Sequence, residues 1–304
     1  SDGEVLSTNG SGTLSWSSSS SGTTVNGLSD GLVESNSIYV GNDPSGTTDD
    51  AEYNVALGTT ALDAITTGDG NTAAGYNALT ANTTGTGNVA FGYNTLAANT
   101  TSDQNLAIGY NALATQTTDG SLNTAVGNYT LDDNTTGDRN VALGYTALAN
   151  NSQGSNNVGI GAGTLRLNST AASNTALGDA AGDVITTGSQ NVLLGASTDP
   201  SADDGSNQIV VGYGATGQAN NSVTLGNADV TTVYMSQDAG ATIHAAGVTS
   251  ATDGTITIDP NGSGTLALGS ADNTAVTADA IAFSIDATGG ASNITLACLL
   301  YTSD

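Results

Sequence analysis

The sequence predicts an all-β protein: a parallel β-solenoid of about eleven short coils, flanked by small β regions. Three observations carry that expectation. A short phrase, Asn-x-Ala-aliphatic-Gly, recurs along most of the chain at a nearly constant spacing. The spacing is too short for a helix pair or a propeller blade and suits one turn of a solenoid. Gly makes up 41 of 304 residues, and Thr and Val fill the periodic positions, which disfavours helix and favours strand.

The phrase opens at Asn54, Asn71, Asn88, Asn105, Asn123, Asn140, Asn157, Asn174 and Asn191. It closes at Gly58, Gly75, Gly92, Gly109, Gly127, Gly144, Gly161, Gly178 and Gly195. The closing glycines are 17 residues apart except for one step of 18, from Gly109 to Gly127. Two looser copies end at Gly212 and Gly226. In each unit the Asn suits a turn conformation that most residues resist, three strand residues follow, and the Gly lets the chain bend. A second short strand is expected next, as in Tyr76–Leu79 and Tyr93–Leu96, and then a polar loop such as Asn82–Gly85 or Asn134–Gly137.

Stacked coils place like residues over like, about 4.8 Å apart. The Asn residues then form a ladder of coil-to-coil hydrogen bonds, as in cross-β stacks. Leu62, Leu79, Leu96, Leu113, Leu131, Leu148 and Leu165 form an apolar file. Within each strand the middle residue is Ala at Ala56, Ala73, Ala90, Ala107, Ala125, Ala142 and Ala176, flanked by larger apolar residues or Thr. Alternation puts Ala on one face and the larger pair on the other. A strand uncharged on both faces needs cover on both. The repeat supplies no second covering element, so self-association is expected, with the Ala file permitting close approach.

Three regions follow from changes of style. Residues 1–52 form an N-terminal Ser/Gly-rich lead-in or capping segment, 53–227 the solenoid array, and 228–304 a C-terminal neck and small β region. In the last, Thr255–Ile258 and Gly264–Leu268 alternate as strands about a turn at Pro260–Gly262. Both ends read as incomplete. Residues 298–304 break with everything before them and resemble translated adapter sequence.

Composition narrows the function. Two basic residues, Arg139 and Arg166, stand against 28 carboxylates, giving a net charge of −26. That argues against nucleic acid as a partner, which needs clustered cations, and against anionic membranes. No apolar run is long enough for membrane insertion as a helix. With one histidine, His244, and one cysteine, Cys298, a single chain offers no histidine pair and no disulfide. No spacing singles out an acid pair for glycoside cleavage, so the expectation is a protein that is not an enzyme and has no cofactor.

Two acidic loops bracket the strict array. Asp43, Asp49 and Asp50 in one, and Asp199, Asp203 and Asp204 in the other, could hold calcium, which takes six to eight oxygens. The competing reading is a solvated turn. Thr pairs recur at Thr66–Thr67, Thr83–Thr84, Thr100–Thr101, Thr117–Thr118, Thr135–Thr136 and Thr186–Thr187. They invite comparison with ice-binding surfaces, but neighbouring strand side chains point oppositely and turn chemistry explains them better. Tyr76, Tyr93, Tyr110 and Tyr145 follow their glycines directly and offer either a sugar-stacking strip or aromatic packing between coils.

The repeat, from about Asn54 to Gly226, resembles the head domains of trimeric autotransporter adhesins and their relatives in bacteriophage tail fibres. Asn221–Gly226, reading NSVTLG, is nearest to the family's wording. The resemblance implies an intertwined homotrimer built from a left-handed parallel β-roll. Gly3–Trp16 resembles a phrase common in tail fibre proteins, and Leu225–Tyr234 resembles a fibre neck. Together they imply a structural and adhesive fibre segment on a phage tail or other virion appendage. Its partners would be its own copies and a host cell-surface glycan or protein. The alternatives are a bacterial trimeric surface adhesin head at the cell surface, and a secreted ice- or carbohydrate-binding β-solenoid.

Overall fold

The structure, a computed structural model, describes residues 4–8, 14–18, 31–41, 44, 47–48 and 50–234. All belong to one compact unit, Ser1–Met235; a second unit, Ser236–Asp304, lies outside the described residues. The strands expected at 255–258 and 264–268, together with His244 and Cys298, fall in that second unit.

Strands β1 (Glu4–Thr8) and β2 (Leu14–Ser18) pair antiparallel. The remaining strands form one sheet of thirteen in strict chain order. It begins with the antiparallel hairpin β3 (Gly31–Glu34) and β4 (Ser37–Val40). Each repeat then contributes one three-residue strand: β5 (Val55–Leu57), β6 (Thr72–Ala74), β7 (Val89–Phe91), β8 (Leu106–Ile108) and β9 (Thr124–Val126). The series continues with β10 (Val141–Leu143), β11 (Val158–Ile160), β12 (Thr175–Leu177) and β13 (Val192–Leu194). It closes with β14 (Gln208–Val211) and β15 (Ser222–Leu225). From β4 onward every pairing is parallel and in repeat register, for example Ala90↔Ala107 and Ala107↔Ala125. No described residue is helical, and the chain is the β-solenoid that the sequence predicts.

The sheet starts earlier than residue 53. The β3–β4 hairpin turns through Ser35 and Asn36, both at positive φ as a two-residue hairpin turn requires, and β4 pairs with β5. Tyr39 takes the place that Ala holds in the coils that follow and is fully buried, so a large ring plugs the first end of the core.

The expected second strand is not formed. In the coil Asn88–Gln104, Gly92 has φ 137°, and Asn94, Leu96 and Gln104 follow at 53°, 51° and 56°. The stretch after Gly92 is therefore a chain of left-handed corners. These corners turn the peptide groups along the solenoid axis. Asn94 N donates to Tyr76 O on one side at 3.0 Å, and Leu96 N to Ala112 O on the other at 3.0 Å. A left-handed conformation costs an ordinary residue about 1–2 kcal/mol. At the Leu positions, burial of the side chain returns roughly 1.5–3 kcal/mol.

The Ala file also faces the other way from the expectation. Ala56, Ala73, Ala90, Ala107, Ala125, Ala142 and Ala176 line the interior, and the larger strand residues point outward. The cause is the Leu file on the opposite wall. Leu62, Leu79, Leu96, Leu113, Leu131, Leu148 and Leu165 are all fully buried and leave room for little more than a methyl across from them. Two successive coils test this by exchanging volumes across their boundary. Leu193 takes the Ala place while Gly182 takes the Leu place, and a Cβ on Gly182 would lie 2.7 Å from Leu193 Cδ1.

The Asn ladder forms as expected. Asn71 N donates to Asn54 Oδ1 at 2.8 Å, Asn88 N to Asn71 Oδ1 at 2.9 Å, and so on to Gln208 N on Asn191 Oδ1 at 3.0 Å. Each side-chain amide also caps the carbonyl that ends its own coil, as Asn54 Nδ2 does to Gly68 O at 2.8 Å. Every such Asn is buried and bonded, so loss of one would strand its partners at a cost of about 1–3 kcal/mol each.

Candidate functional site

A cleft lined by Gly214, Thr216, Gln218, Thr224 and Gly226 lies beyond the strict coils; along the strict coils the candidate site is a surface. The outward strand residues form two files along the whole array. One runs Val55, Thr72, Val89, Leu106, Thr124, Val141, Val158, Thr175, Val192, Ile209 and Val223. The other runs Leu57, Ala74, Phe91, Ile108, Val126, Leu143, Ile160, Leu177, Leu194, Val211 and Leu225. Neither contains a charge. Leu57 is 57% exposed, Phe91 55% and Leu177 51%.

A tyrosine file borders this face. Tyr76 stacks on Tyr93 with ring centroids 5.3 Å apart, and Tyr93 on Tyr110 at 5.0 Å and 6°. Tyr129 extends the file in place of the residue directly after its glycine, a member that the strict spacing misses. There the order changes: Tyr110 and Tyr129 are tilted at 57°, and Tyr129 meets Tyr145 edge-on at 89°. Stacking occupies the ring faces of Tyr93 and leaves edges and hydroxyls outward, which is packing between coils rather than an open sugar platform. Loss of water around the Tyr129 hydroxyl, then the nearby Tyr110, Tyr145 and Asp132, hold its pKa above the usual phenol value.

Among the described residues the acidic loops do not gather into a metal centre. Asp43 and Asp49 lie outside the described residues, and Asp50 is exposed. Among the described residues no three Asp, Glu, His or Cys side chains come together to hold an ion. Asp203 instead ends a coil, its backbone oxygen accepting from Thr186 N at 3.0 Å and its Oδ2 from the Thr186 hydroxyl at 3.2 Å. Asp199 occupies the Leu place one coil beyond Gly182. It is half-buried, and its Oδ1 has no hydrogen-bond partner. Burial, with the charge of Asp183 beside it, pushes the Asp199 carboxyl up to about 6, against a hydrogen bond from the Val184 backbone that pulls it down.

The Thr pairs act within the wall. Thr66 Oγ1 donates to Thr83 O at 2.9 Å, Thr83 Oγ1 to Thr100 O at 3.1 Å and Thr135 Oγ1 to Ser152 O at 2.8 Å. These hydroxyls tie coil to coil and do not form a free array.

A second buried amide file is present that the sequence presents only as polar turns. It runs Ile65, Asn82, Asn99, Gln116, Asn134, Asn151, Asn168, Ile185, all fully buried. Asn99 Nδ2 donates to Asn82 Oδ1 at 2.9 Å, and Asn151 Nδ2 to Asn134 Oδ1 at 2.8 Å. Ile at both ends was the available signal, since a place shared by Ile and Asn is an interior one.

The chain matches no protein family, no characterised protein and no solved structure. No helix among the described residues is long and apolar enough to cross a membrane.

Proposed function

We propose that this chain is a shaft segment of an attachment fibre, a homotrimeric structural element of a phage tail or comparable virion appendage. It works outside the cell, is not an enzyme, and gives reach to host-surface attachment. Its partners are its own copies and a host glycan or protein. The observation that carries this reading is the outward sheet face. Twelve strands from β4 to β15 run in register. At about 4.8 Å per step and roughly 15 Å across, including the tyrosines, their face covers on the order of 800 Å². One side of a standard stable interface is of that size. In a chain of net charge −26, this uncharged strip is where a second and third copy meet with least repulsion. A bacterial trimeric adhesin head would use the same geometry, and neighbouring genes separate the two: baseplate proteins on one side, a β-barrel anchor on the other.

Light scattering of the purified chain tests the assembly, with three chain masses expected. Ile108→Lys places a charge on the outward face of β8, where Ile108 is 40% exposed, and should give folded monomer. A stable, well-folded monomer from the unaltered chain would end the proposal.

A further inference from the structure

The second amide file breaks at one step, and the break coincides with the 18-residue coil. At the other amide-to-amide steps each side-chain nitrogen donates twice, to the amide oxygen of the preceding coil and to a carbonyl three residues on. Asn151 Nδ2 reaches Asn134 Oδ1 at 2.8 Å and Gly154 O at 2.9 Å; Asn168 Nδ2 reaches Asn151 Oδ1 at 2.6 Å and Ala171 O at 3.2 Å. Gln116 departs from this. Its Oε1 accepts from Asn123 Nδ2 and Asn134 Nδ2, both at 3.1 Å, but its Nε2 has no partner. Asn99 Oδ1, one coil back in the same file, has none either. Nor does the hydroxyl of Ser102, which stands in this coil where Gly85, Gly120 and Gly137 stand in others. All three side chains are at most 1% exposed.

The sequence explains the gap. Gln116-Thr117-Thr118-Asp119-Gly120 replaces Asn82-Thr83-Thr84-Gly85, so Asp119 is the added residue. Gln, one methylene longer than Asn, spans the wider loop to reach the next coil, and its nitrogen loses contact with the coil behind. The step is left with one donor, one acceptor and one hydroxyl, all buried. Native interiors almost never leave such groups unpaired.

We propose that one structural water is bound inside the solenoid at this step, accepting from Gln116 Nε2 and donating to Asn99 Oδ1 and Ser102 Oγ. Three bonds to otherwise unpaired buried groups is the usual complement of an internal water. Ser102 is then a water ligand rather than a random replacement of glycine. The water lets an 18-residue coil sit in an array of 17 without opening the core.

A crystal structure of the full chain at a resolution that shows ordered water tests this. A density peak within about 2.7–3.2 Å of all three atoms is expected. In solution, the side-chain amide protons of Asn99 and Gln116 should show cross-relaxation to a long-lived water. A second variant, Gln116→Asn with Asp119 deleted, restores the common coil length; it should bond directly to Asn99 Oδ1 and lose both signals. The proposal is overturned if the unaltered chain shows no such peak and its Gln116 or Ser102 side chain contacts Asn99 Oδ1 directly. It is equally overturned if the peak persists unchanged in the shortened variant.

Discussion

Replacing Gly195 by Ala should damage the solenoid far more than replacing Gly163 by Ala, although both glycines are at positive φ. Gly195 follows strand β13 at φ 137°, territory open to glycine alone. A Cβ there would lie 2.6 Å from Gly212 O, 2.8 Å from its carbonyl carbon and 2.8 Å from Thr198 Oγ1. The oxygen contact is roughly 0.9 Å inside ordinary nonbonded distance. The next coil cannot withdraw freely, because Gly212 N is bonded to Leu194 O at 2.9 Å. Backbone strain of about 1–3 kcal/mol, overpacking of about 1–3 and a weakened ladder bond of about 1 sum to roughly 3–7 kcal/mol. Gly163 differs. Its φ is 65° and nothing lies within 4 Å of a Cβ built on it. Ala180 holds the matching place one coil on, at φ 51°. There the left-handed cost of about 1–2 kcal/mol is partly offset by a stiffer unfolded chain, about 0.4–1 kcal/mol. Denaturant unfolding followed by circular dichroism reads both variants. Equal loss from the two would refute the claim that coil-to-coil contact, rather than φ alone, requires the closing glycine.

Two further outcomes follow from the same geometry. Deleting one whole coil, Asn88 through Gln104, should shorten the solenoid by about 4.8 Å and leave it folded, because each coil touches only its neighbours; removing eight residues should throw the files out of register, and equal damage from both would argue against stacked coils. Asp199 has a folded pKa of about 6, above its unfolded value, so the folded chain holds that proton more tightly. The stability it contributes is full below about pH 4 and falls away as the pH rises to about 6. Asp199→Asn should flatten that part of the stability profile, and an identical slope in both proteins would remove Asp199 as its cause.

The repeat was legible in the sequence because stacking translates one period into files of like residues. Once Asn54, Asn71 and Asn88 sit over one another, their ladder follows from the chemistry of the amide. What alternation cannot give is which side of the strand is the inside. Ala107 and Ile108 are both apolar, and the decision rests on Leu113 filling the far wall. The larger residue is therefore the outward one, opposite to what burial of bulk would suggest. The missing second strand has a related cause. Tyr-Asn-Ala-Leu reads as strand by composition, yet the same place holds Asn77, Asn94, Asn111, Gly163 and Gly214, residues that tolerate left-handed φ, while Thr60, Tyr129, Thr146, Ala180 and Ser197 take the same conformation there in other coils. Leu79 and Leu96 adopt it without any such tolerance, because the core and the coil-to-coil bonds impose it.

These files also bear on how such a segment can act. The strict coils differ little in what they present outward, so a ligand meeting one meets nearly the same surface at the next. Such a surface gains by avidity rather than by a single shaped pocket. An apolar strip of this length would be a liability if left uncovered, whereas in the proposed assembly carboxylates elsewhere would keep neighbouring assemblies from sticking to one another sideways. The places where the repetition lapses are the 18-residue coil, where the tyrosine stack turns by 57°, and the coils beyond Gly178, where Gly182, Leu193 and Asp199 rewrite the core. Recognition that depends on one unique arrangement of groups has to use such departures, and in the proposed shaft the regular coils between them would serve distance.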